Sequence, residues 1–288
     1  MTRAGAPKWS RLGVIAGGGR LPVLLAKAEQ DAGRAPFVIR LNGFADDPFA
    51  GHDSLDFNLG AIGGIQNALK AASCDTICFA GNVKRPDLKT LRPADMVATK
   101  LLPSVIAAGM KGDDALLRII LQSFEKAGFK VVGADDVLSG LISKSGVLGA
   151  VKPSDNALAD ARKALRVARE MGRLDIGQGA IVCDGLVLAV EAQEGTDAML
   201  ARVAGLPNDI RGSATDRRGV LAKASKPIQE RRMDLPVIGV STVQSAHDAG
   251  LAGIAIEADG ALIVDREAVI RAADQFGLFV MAIDSDPR

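Results

Sequence analysis

Apolar runs alternate with amphipathic segments along the first half of the chain. Three runs have the length and nearly continuous apolar character of buried strands: Leu12–Ala16, Phe37–Leu41 and Thr76–Ala80. Residues 21–32 and 114–127 have the pattern of helices, and the second of them starts with an acid, ends near a lysine and is followed by Gly128. Another strand begins at Val131. The alternation predicts a Rossmann-like parallel sheet with helices on both faces.

A break in this pattern follows near the middle of the chain. Residues 143–153 are rich in glycine, serine and proline and show no hydrophobic period, so we place a domain boundary there. The prediction is an α/β protein of two domains. An N-terminal Rossmann-like domain covers residues 1–145, a linker covers 146–153, and a C-terminal mixed α/β domain covers 154–288.

Turn and periodicity signals predict helices and strands in a mixed order in the second domain. A helix over residues 155–171 is followed by Gly172, which we expect to end it. Asp184-Gly185 lies between two apolar runs and is a dipeptide favoured in type I′ turns, so it predicts an antiparallel hairpin. Further strands are predicted at residues 221–225, 237–240, 254–257, 262–265 and 278–283. Helices are predicted over residues 242–249 and 267–276.

Gly17, Gly18 and Gly19 lie between the first strand and the first helix. Backbone N–H groups at such a helix start suit a phosphate, so we assign the three glycines to substrate binding. The spacing departs from the dinucleotide-binding pattern GxGxxG, because Pro22 stands at its sixth position. The alternative is a tight turn that needs a positive φ.

A polar loop follows the strand Thr76–Ala80. Asn82 could hydrogen-bond a sugar or a base there, and Lys84 and Arg85 could bind a phosphate, because ligands of open α/β sheets bind beyond the carboxyl ends of the strands. The alternative is a solvated basic turn.

Three carboxylates lie within seven residues where a predicted strand ends and a helix begins: Glu191, Glu194 and Asp197. Oxygen-rich clusters of this kind suit Mg²⁺, which takes one or two carboxylates and completes its shell with water and substrate phosphate. We assign these acids to a metal site and Thr196 to substrate binding. The alternative is that Thr196 or Asp197 only caps the helix.

Residues 223–236 are the densest polar segment. Its basic residues, among them Lys223, Lys226 and Arg232, could offset the charge of a diphosphate. Asp234 directly precedes an apolar run, where a carboxylate can ligate a metal or orient a water molecule for attack on phosphorus. The alternative is an exposed charged loop with Asp234 as a turn acid.

Composition disfavours or excludes several classes of function. The net charge is +1 and the chain has nine Phe, one Trp and no Tyr, which disfavours nucleic-acid binding because that needs a basic surplus and stacking rings. Two histidines exclude a three-histidine zinc site, and three cysteines without a CxxC pair fit a reducing compartment. No apolar stretch has the length of a membrane span or a signal peptide, so we expect a cytoplasmic location.

Five segments in order resemble the LpxI-type UDP-2,3-diacylglucosamine pyrophosphatases: LGVIAGGGRLP, FAGNVKRP, DIGQGAIV, VEAQEGTDAML and SKPIQERRMDLPVIGV. The resemblance covers nearly the whole chain after Arg11. It implies cleavage of UDP-2,3-diacylglucosamine to UMP and 2,3-diacylglucosamine 1-phosphate (lipid X) in lipid A biosynthesis, with Mg²⁺ or Mn²⁺ as cofactor. It also implies that Asp234 is the residue on which activity depends.

The remaining roles combine the resemblance with the chemistry of each side chain. Asp234, Lys226 and Arg232 form the expected catalytic set, Lys223 and Gln229 join the substrate-binding residues, and Asp234 shares the metal with the acids named above. We expect water to attack the β-phosphorus. Because the substrate is amphiphilic, we also expect transient contact with the inner face of the inner membrane, and a homodimer is a further expectation.

Two other functions remain open at this point. One is a nucleotide-sugar transferase or an oxidoreductase that uses the first domain as a Rossmann unit. Arg40 and Asn42 stand at the end of the second strand, where such an enzyme has a ribose-binding acid, and this disfavours it. The other is a non-enzymatic carrier of lipid or nucleotide.

Overall fold

The computed structural model describes residues 9–85, 87, 92–110, 112–227 and 230–284. The chain divides into two compact units. The first consists of Met1–Ser139 and Glu230–Met233, and the second of Gly140–Gln229 and Asp234–Arg288. Both units contain helices and strands, which confirms the predicted α/β fold class with two domains.

The first unit alternates strands and helices through most of its length. Its strands are β1 (Leu12–Ala16), β2 (Phe37–Leu41), β3 (Asp53–Phe57), β4 (Thr76–Ala80) and β5 (Lys130–Val132). Its helices are α1 (Leu21–Asp31), α2 (Ile62–Ala71), α3 (Met96–Gly109), α4 (Asp113–Lys126) and α5 (Ala134–Val137).

The five strands form one parallel sheet in the order β3-β2-β1-β4-β5. All five residues of β1 are buried, as expected of a central strand with helices on both faces. The chain runs from β1 to β2 on one side and later to β4 on the other, so β1 and β4 border a topological switch point. In open α/β sheets this is the place where ligands bind.

Four elements of this unit were not predicted: β3, α2, α3 and the four-residue helix α5. β3 is an edge strand of sequence DSLDF whose residues are largely exposed, so it has no apolar run to detect. α2 contains Gly63 and Gly64, which lower its helix propensity. A Cβ at Gly63 would lie 2.9 Å from Oδ1 of Asp95, the residue that caps α3. The glycine is therefore required by close packing between two helices.

The second unit begins within a short 3₁₀ turn, Ser139–Leu141, and its described residues contain eight strands. They are β6 (Gly146–Val147), β7 (Gly179–Cys183), β8 (Leu186–Val190), β9 (Val220–Lys223), β10 (Val237–Ile238), β11 (Gly253–Glu257), β12 (Leu262–Ile263) and β13 (Phe279–Ile283). Its helices are α6 (Asp155–Arg173), α7 (Gly195–Ala204), α8 (Asn208–Arg211), α9 (Val240–Asp248) and α10 (Arg266–Phe276).

Six of these strands form a mixed sheet in the order β6-β13-β11-β9-β7-β8, and β10 pairs with β12 in parallel. β13, β11 and β9 run parallel, whereas β6, β7 and β8 form the antiparallel pairs. The predicted hairpin is confirmed, because Asp184 and Gly185 join β7 to β8 with φ of 49° and 77°. Gly146 and Val147, in the segment predicted as a linker, pair with β13.

The expectation that Gly172 ends the first helix of this unit is wrong. α6 continues through Gly172 to Arg173. A Cβ at Gly172 would lie 3.1 Å from Cα of Lys226, so the missing side chain makes room for another part of the chain inside the helix. Sequence cannot separate this use of glycine from a helix stop, because both place a glycine in the last turn.

None of the helices in the described part of the chain combines the length and the apolar character that crossing a bilayer requires.

Gly253 provides a test of the register in the second sheet. It lies opposite Phe279 in the β11–β13 pair, and an added Cβ would lie 2.4 Å from a ring carbon of Phe279, which is buried. We expect Gly253→Ala to lower the free energy of unfolding by about 1–3 kcal/mol, because the packed ring cannot yield without strain. Urea unfolding of the variant measures this.

Gly140→Ala is the matched control, because no atom lies within 4 Å of the added Cβ and the backbone φ is not positive. It should change the free energy of unfolding by no more than about 0.5 kcal/mol. Equal stability of the two variants would contradict the register.

Candidate active site

The glycine loop after β1 and the polar loop after β4 meet in the first unit. Gly18 and Asn82 form an antiparallel bridge, with Gly18 N donating to Asn82 O and Asn82 N donating to Gly18 O, both over 2.9 Å. Gly17 N donates to Ala80 O over 2.8 Å. The structure thus brings together two motifs that lie more than sixty residues apart in the sequence.

The third glycine of the loop has a side-chain partner. Gly19 has φ of 87°, which favours glycine, and its N–H donates to Oδ2 of Asp46 over 2.7 Å. Each N–H of residues 17–19 therefore already has an acceptor within the protein. A phosphate at this loop would have to displace the Asp46 carboxylate, so phosphate binding by the three glycines stays a prediction.

A cavity of about 270 Å³ is lined by Asp46 and by polar residues of the segment that follows β2. Its lining includes Arg40, Asn42, Asp47 and Asp56. Arg40 is paired with Asp56 over 2.8 Å. The carboxylates and the amide offer acceptors to hydroxyl or N–H groups, so the cavity suits a sugar or base better than a phosphate.

The two basic residues of the loop after β4 differ in their surroundings. Arg85 donates to Oδ1 of Asp113 over 2.8 Å and to the carbonyl oxygen of Gly109. Lys84 and the side chain of Asn82 are exposed. Arg85 is thus held against the start of α4, whereas Lys84 remains at the surface.

In the second unit, Lys223 is the last residue of β9 and is only 5% exposed. Its Nζ donates to Oγ1 of Thr196 over 2.7 Å and to the carbonyl oxygen of Val237 over 3.2 Å. Thr196 in turn donates to Oε1 of Glu191 over 2.8 Å. A buried ammonium and a buried carboxylate are thus joined through one hydroxyl, which satisfies charges that burial would otherwise disfavour.

The hydrogen bonds of Thr196, at the start of α7, are made to side chains of other elements. The alternative in which Thr196 or Asp197 caps the helix is wrong, because the N-cap residue is Glu194 and both residues lie inside the first turn. Thr196 instead links Lys223 to Glu191.

The acids predicted to bind a metal have different environments. Glu191 is 6% exposed, and its Oε2 is directed at Gly179 without a hydrogen-bond partner in the described residues. Glu194 pairs with Arg202 over 2.7 Å, and a hydrogen bond with its own backbone N–H, aided by Arg202, lowers its pKa. Asp197 is exposed. No three Asp, Glu, His or Cys side chains of the described residues are grouped as a metal site would require.

Residues after β9 are held by acids from other elements of the second unit. Glu257, at the end of β11, accepts from the backbone N of Ser225 over 2.8 Å and from its hydroxyl over 2.6 Å, and also pairs with Arg169. Lys226 pairs with Asp175 over 2.7 Å, with both side chains less than one fifth exposed. Breaking a buried ion pair of this kind costs about 3–5 kcal/mol, so Lys226 is firmly placed.

Glu230–Met233 belong to the first unit. Arg232 donates to both oxygens of Glu230 over 2.9 and 3.0 Å and to Oε1 of Glu125 over 2.8 Å. The hydrogen bonds to Glu230 raise the pKa of Arg232, and the same bonds lower the pKa of Glu230. Glu230 N donates to Asp114 over 2.8 Å, and Met233 packs on the core of the unit. Charged and apolar contacts together fix this segment on α4.

Asp234 follows Met233 directly and is partly buried. The two residues after it, Leu235 and Pro236, are buried, and β10 begins at Val237. Asp234 therefore has anchored residues on both sides in the chain, as expected of a carboxylate that must keep one position. Gln229, which was predicted to bind substrate, lies outside the described residues.

Family comparisons agree with the motifs. Residues 11–141 match the model of the LpxI N-terminal domain, and residues 144–281 match that of the LpxI C-terminal domain. The chain belongs to the LpxI family. The UDP-2,3-diacylglucosamine pyrophosphatase LpxI of Caulobacter vibrioides is 58% identical over 278 residues, which cover 96% of this chain and 99% of that protein. The resemblance predicted from the sequence motifs is confirmed.

This LpxI-family chain also has weak similarity to solved structures of other proteins. Precorrin-6A reductase CobK is 14% identical, with 96% of this chain and 89% of that chain covered, at a TM-score of 0.33. UDP-glucose 4-epimerase of Thermus thermophilus, in a complex with NAD, is 14% identical, with 96% and 88% covered, at a TM-score of 0.32. Similarity at this level supports no statement about function.

Sequence reasoning found the cations of the candidate site but missed the acids that hold these cations or other residues around them. The missed acids are Asp46, Glu125, Asp175 and Glu257. Asp175 lies in the DIGQGAIV segment and could have been singled out there, whereas Glu125 and Glu257 lie on a predicted helix and strand without any local signal. Ion pairs between residues that lie 51 or 107 positions apart cannot be recognised from the spacing of residues in one sequence.

The hydroxyl of Thr196 can be tested separately from its size. Thr196→Val keeps the branched shape but leaves Nζ of Lys223 and Oε1 of Glu191 without this partner, so we expect it to lower the free energy of unfolding by about 1–3 kcal/mol. Thr196→Ser keeps the hydroxyl and should lose less than half as much. Guanidinium unfolding of both variants measures the difference, and equal losses would show that the hydroxyl is not required.

Proposed function

We propose that this chain hydrolyses the pyrophosphate bond of UDP-2,3-diacylglucosamine to UMP and 2,3-diacylglucosamine 1-phosphate, a step of lipid A biosynthesis. The observation that carries the proposal is the 58% identity to the Caulobacter pyrophosphatase over nearly the full length of both chains. Lys223 is buried and hydrogen-bonded, Lys226 is paired with Asp175, and such fixed positions favour an enzyme over a carrier.

In the proposed reaction, a water molecule attacks the β-phosphorus in line with the bond to the bridging oxygen. A new bond forms between the water oxygen and the β-phosphorus, and the bond between the β-phosphorus and the bridging oxygen breaks. UMP leaves with the bridging oxygen, and the lipid keeps the β-phosphate. Asp234 accepts the proton of the attacking water and orients it.

The basic residues have two different tasks in this proposal. Lys226 is fixed by its ion pair with Asp175 and supplies positive charge to the reacting diphosphate from that position. Arg232 and Lys223 act as positioning residues, because hydrogen bonds already direct the Arg232 guanidinium to Glu230 and Glu125, and the Lys223 ammonium to Thr196 and Val237. Arg232 holds the residues before Asp234, and Lys223 holds the strand after it.

In the proposal, Asp234 would be the protein ligand of a divalent cation, Mg²⁺ or Mn²⁺. Such an ion needs one or two carboxylates and completes its shell with water and phosphate oxygens, so a cluster of three acids is not required. Glu191 is buried and bonded to Thr196, which makes it a poor ligand, whereas Asp197 is exposed and Glu194 is paired with Arg202. When bound, the cation would neutralise charge on the diphosphate.

The nucleoside has a matching site in the proposal. The cavity beside Asp46 offers acceptors for hydroxyl and base N–H groups, and Asn82 and Lys84 lie on the neighbouring loop after β4. The acyl chains require a lipid environment, so we infer transient contact with the inner face of the inner membrane. The expected homodimer stays a prediction.

Asp234→Asn should lower kcat by about 10²- to 10⁴-fold and change KM little, because the amide keeps the shape but cannot accept the proton of the attacking water. Release of UMP from the UDP-lipid in detergent micelles, with and without Mg²⁺ or Mn²⁺, measures this. Asp209→Asn is the control, because Asp209 is exposed on α8. Full turnover of the Asp234 variant would refute its assignment, and full turnover in excess chelator would refute the metal requirement.

The position of attack can be read directly from isotope incorporation. Hydrolysis in ¹⁸O-water should place the label on the phosphate of the lipid product, because water oxygen joins the β-phosphorus. Mass spectrometry of both products measures this. Label on UMP would instead mean attack at the α-phosphorus, and stoichiometric binding of the lipid without any UMP release would favour a carrier.

A further inference from the structure

Helix α3 presents an apolar face to solvent. Met96, at its start, is 71% exposed, Ile106 is 41% exposed, and Met110, which follows its last residue, is 86% exposed. Pro103 and Ala107 are exposed between them. Met96, Pro103, Ile106 and Met110 follow one another at intervals of seven, three and four residues, so they lie along one side of the helix. We call the side formed by Met96, Pro103, Ile106 and Met110 the α3 face.

The opposite side of α3 is fixed to the first unit. Ala98 and Val105 are buried, and Ala98 belongs to the core cluster of the unit. The side chain of Asp95 accepts hydrogen bonds from the backbone N of Ala98 over 2.8 Å and of Gly64 over 3.1 Å. The helix is thus capped and packed on one side, so the α3 face is a stable surface of the fold.

The charges near the α3 face are mainly basic. The described residues between 84 and 110 contain four lysines and arginines and two aspartates, a net charge of +2, whereas the whole chain has +1. Helix α3 itself contains Lys100 and no acid, and Lys84, Arg92 and Lys100 are exposed. Asp113 and Asp114, which follow this segment, are paired with Arg85 and Arg118.

An exposed apolar stripe with basic residues beside it is typical of a helix that lies in the surface of an anionic bilayer. The apolar side chains enter the boundary between headgroups and acyl chains, and the lysines and arginines meet the lipid phosphates. A second copy of the chain would bring two surfaces of positive charge together, which disfavours self-association through this face.

We propose that the α3 face docks on an anionic phospholipid bilayer and thereby brings the enzyme to its lipid substrate. The proposal rests on the proposed function, because a substrate with two acyl chains resides in a lipid surface. It assigns α3, an element with no role in the chemistry, to substrate delivery.

The test uses the full-length chain and vesicles of phosphatidylcholine with or without phosphatidylglycerol. We expect the wild-type chain to sediment with vesicles that contain phosphatidylglycerol. Met96→Glu/Met110→Glu should weaken that binding at least about tenfold, because it removes two inserting side chains and adds two negative charges. Leu186→Glu/Val187→Glu, which alters two exposed apolar residues of β8 and adds the same charge, should bind as the wild type does.

Activity separates this proposal from the proposed function. Turnover of substrate embedded in vesicles should fall at least about tenfold in the Met96/Met110 variant, whereas turnover in detergent micelles should stay unchanged. The proposal would be overturned if the Met96/Met110 variant bound vesicles as well as the wild-type chain does. It would also be overturned if the wild-type chain did not bind vesicles. Equal losses of turnover in vesicles and in micelles would also overturn the proposal and assign the α3 face to substrate binding or folding.

A change in the oligomeric state of the Met96/Met110 variant would overturn the proposal and assign the α3 face to self-association. A wild-type chain inactive in micelles would refute the proposed function but leave the binding result interpretable.

Discussion

The buried ammonium of Lys223 is the constraint on which the candidate site of the second unit depends. A charge with 5% exposure must have partners, and it finds them in Thr196 at the start of α7 and in the carbonyl oxygen of Val237 in β10. Glu191 completes the arrangement through the Thr196 hydroxyl. One side chain at the end of β9 thereby fixes the strand that follows Asp234. The arrangement tolerates little change, because removing any partner leaves a buried polar group unsatisfied.

The residues on the other side of Asp234 are held by a second set of charges. Arg232 bonds to Glu230 and Glu125, and Met233 packs on the core of the first unit. The segment 230–233 thus belongs to the first unit although both of its neighbours in the chain belong to the second. In this described part of a segment whose sequence resembles a solvated run of charges, Arg232 and Glu230 are held by ion pairs and hydrogen bonds.

Much of the fold could be predicted because local patterns suffice for it. The apolar run of β1, the helix after it and the hairpin turn at Asp184-Gly185 follow from periodicity and turn chemistry. Prediction failed where residues serve distant contacts. Gly172 lies inside α6 because Lys226 approaches it, and Gly63 of α2 makes room for Asp95. A glycine required by packing carries no local mark that separates it from one that ends a helix.

By itself, the sequence determined the α/β class, the family and the residues worth attention, because hydrophobic period and ordered motifs are local properties of the chain. Only the tertiary structure decided what those residues contact. Lys226 meets Asp175 across 51 residues and Arg232 meets Glu125 across 107, and the N–H of Gly19 meets Asp46 where a phosphate was expected. Hydrogen bonds and ion pairs act over about 3 Å in space whatever the separation along the chain. Only the folded chain therefore determines which lysine and arginine side chains are paired within the protein and which remain at the surface.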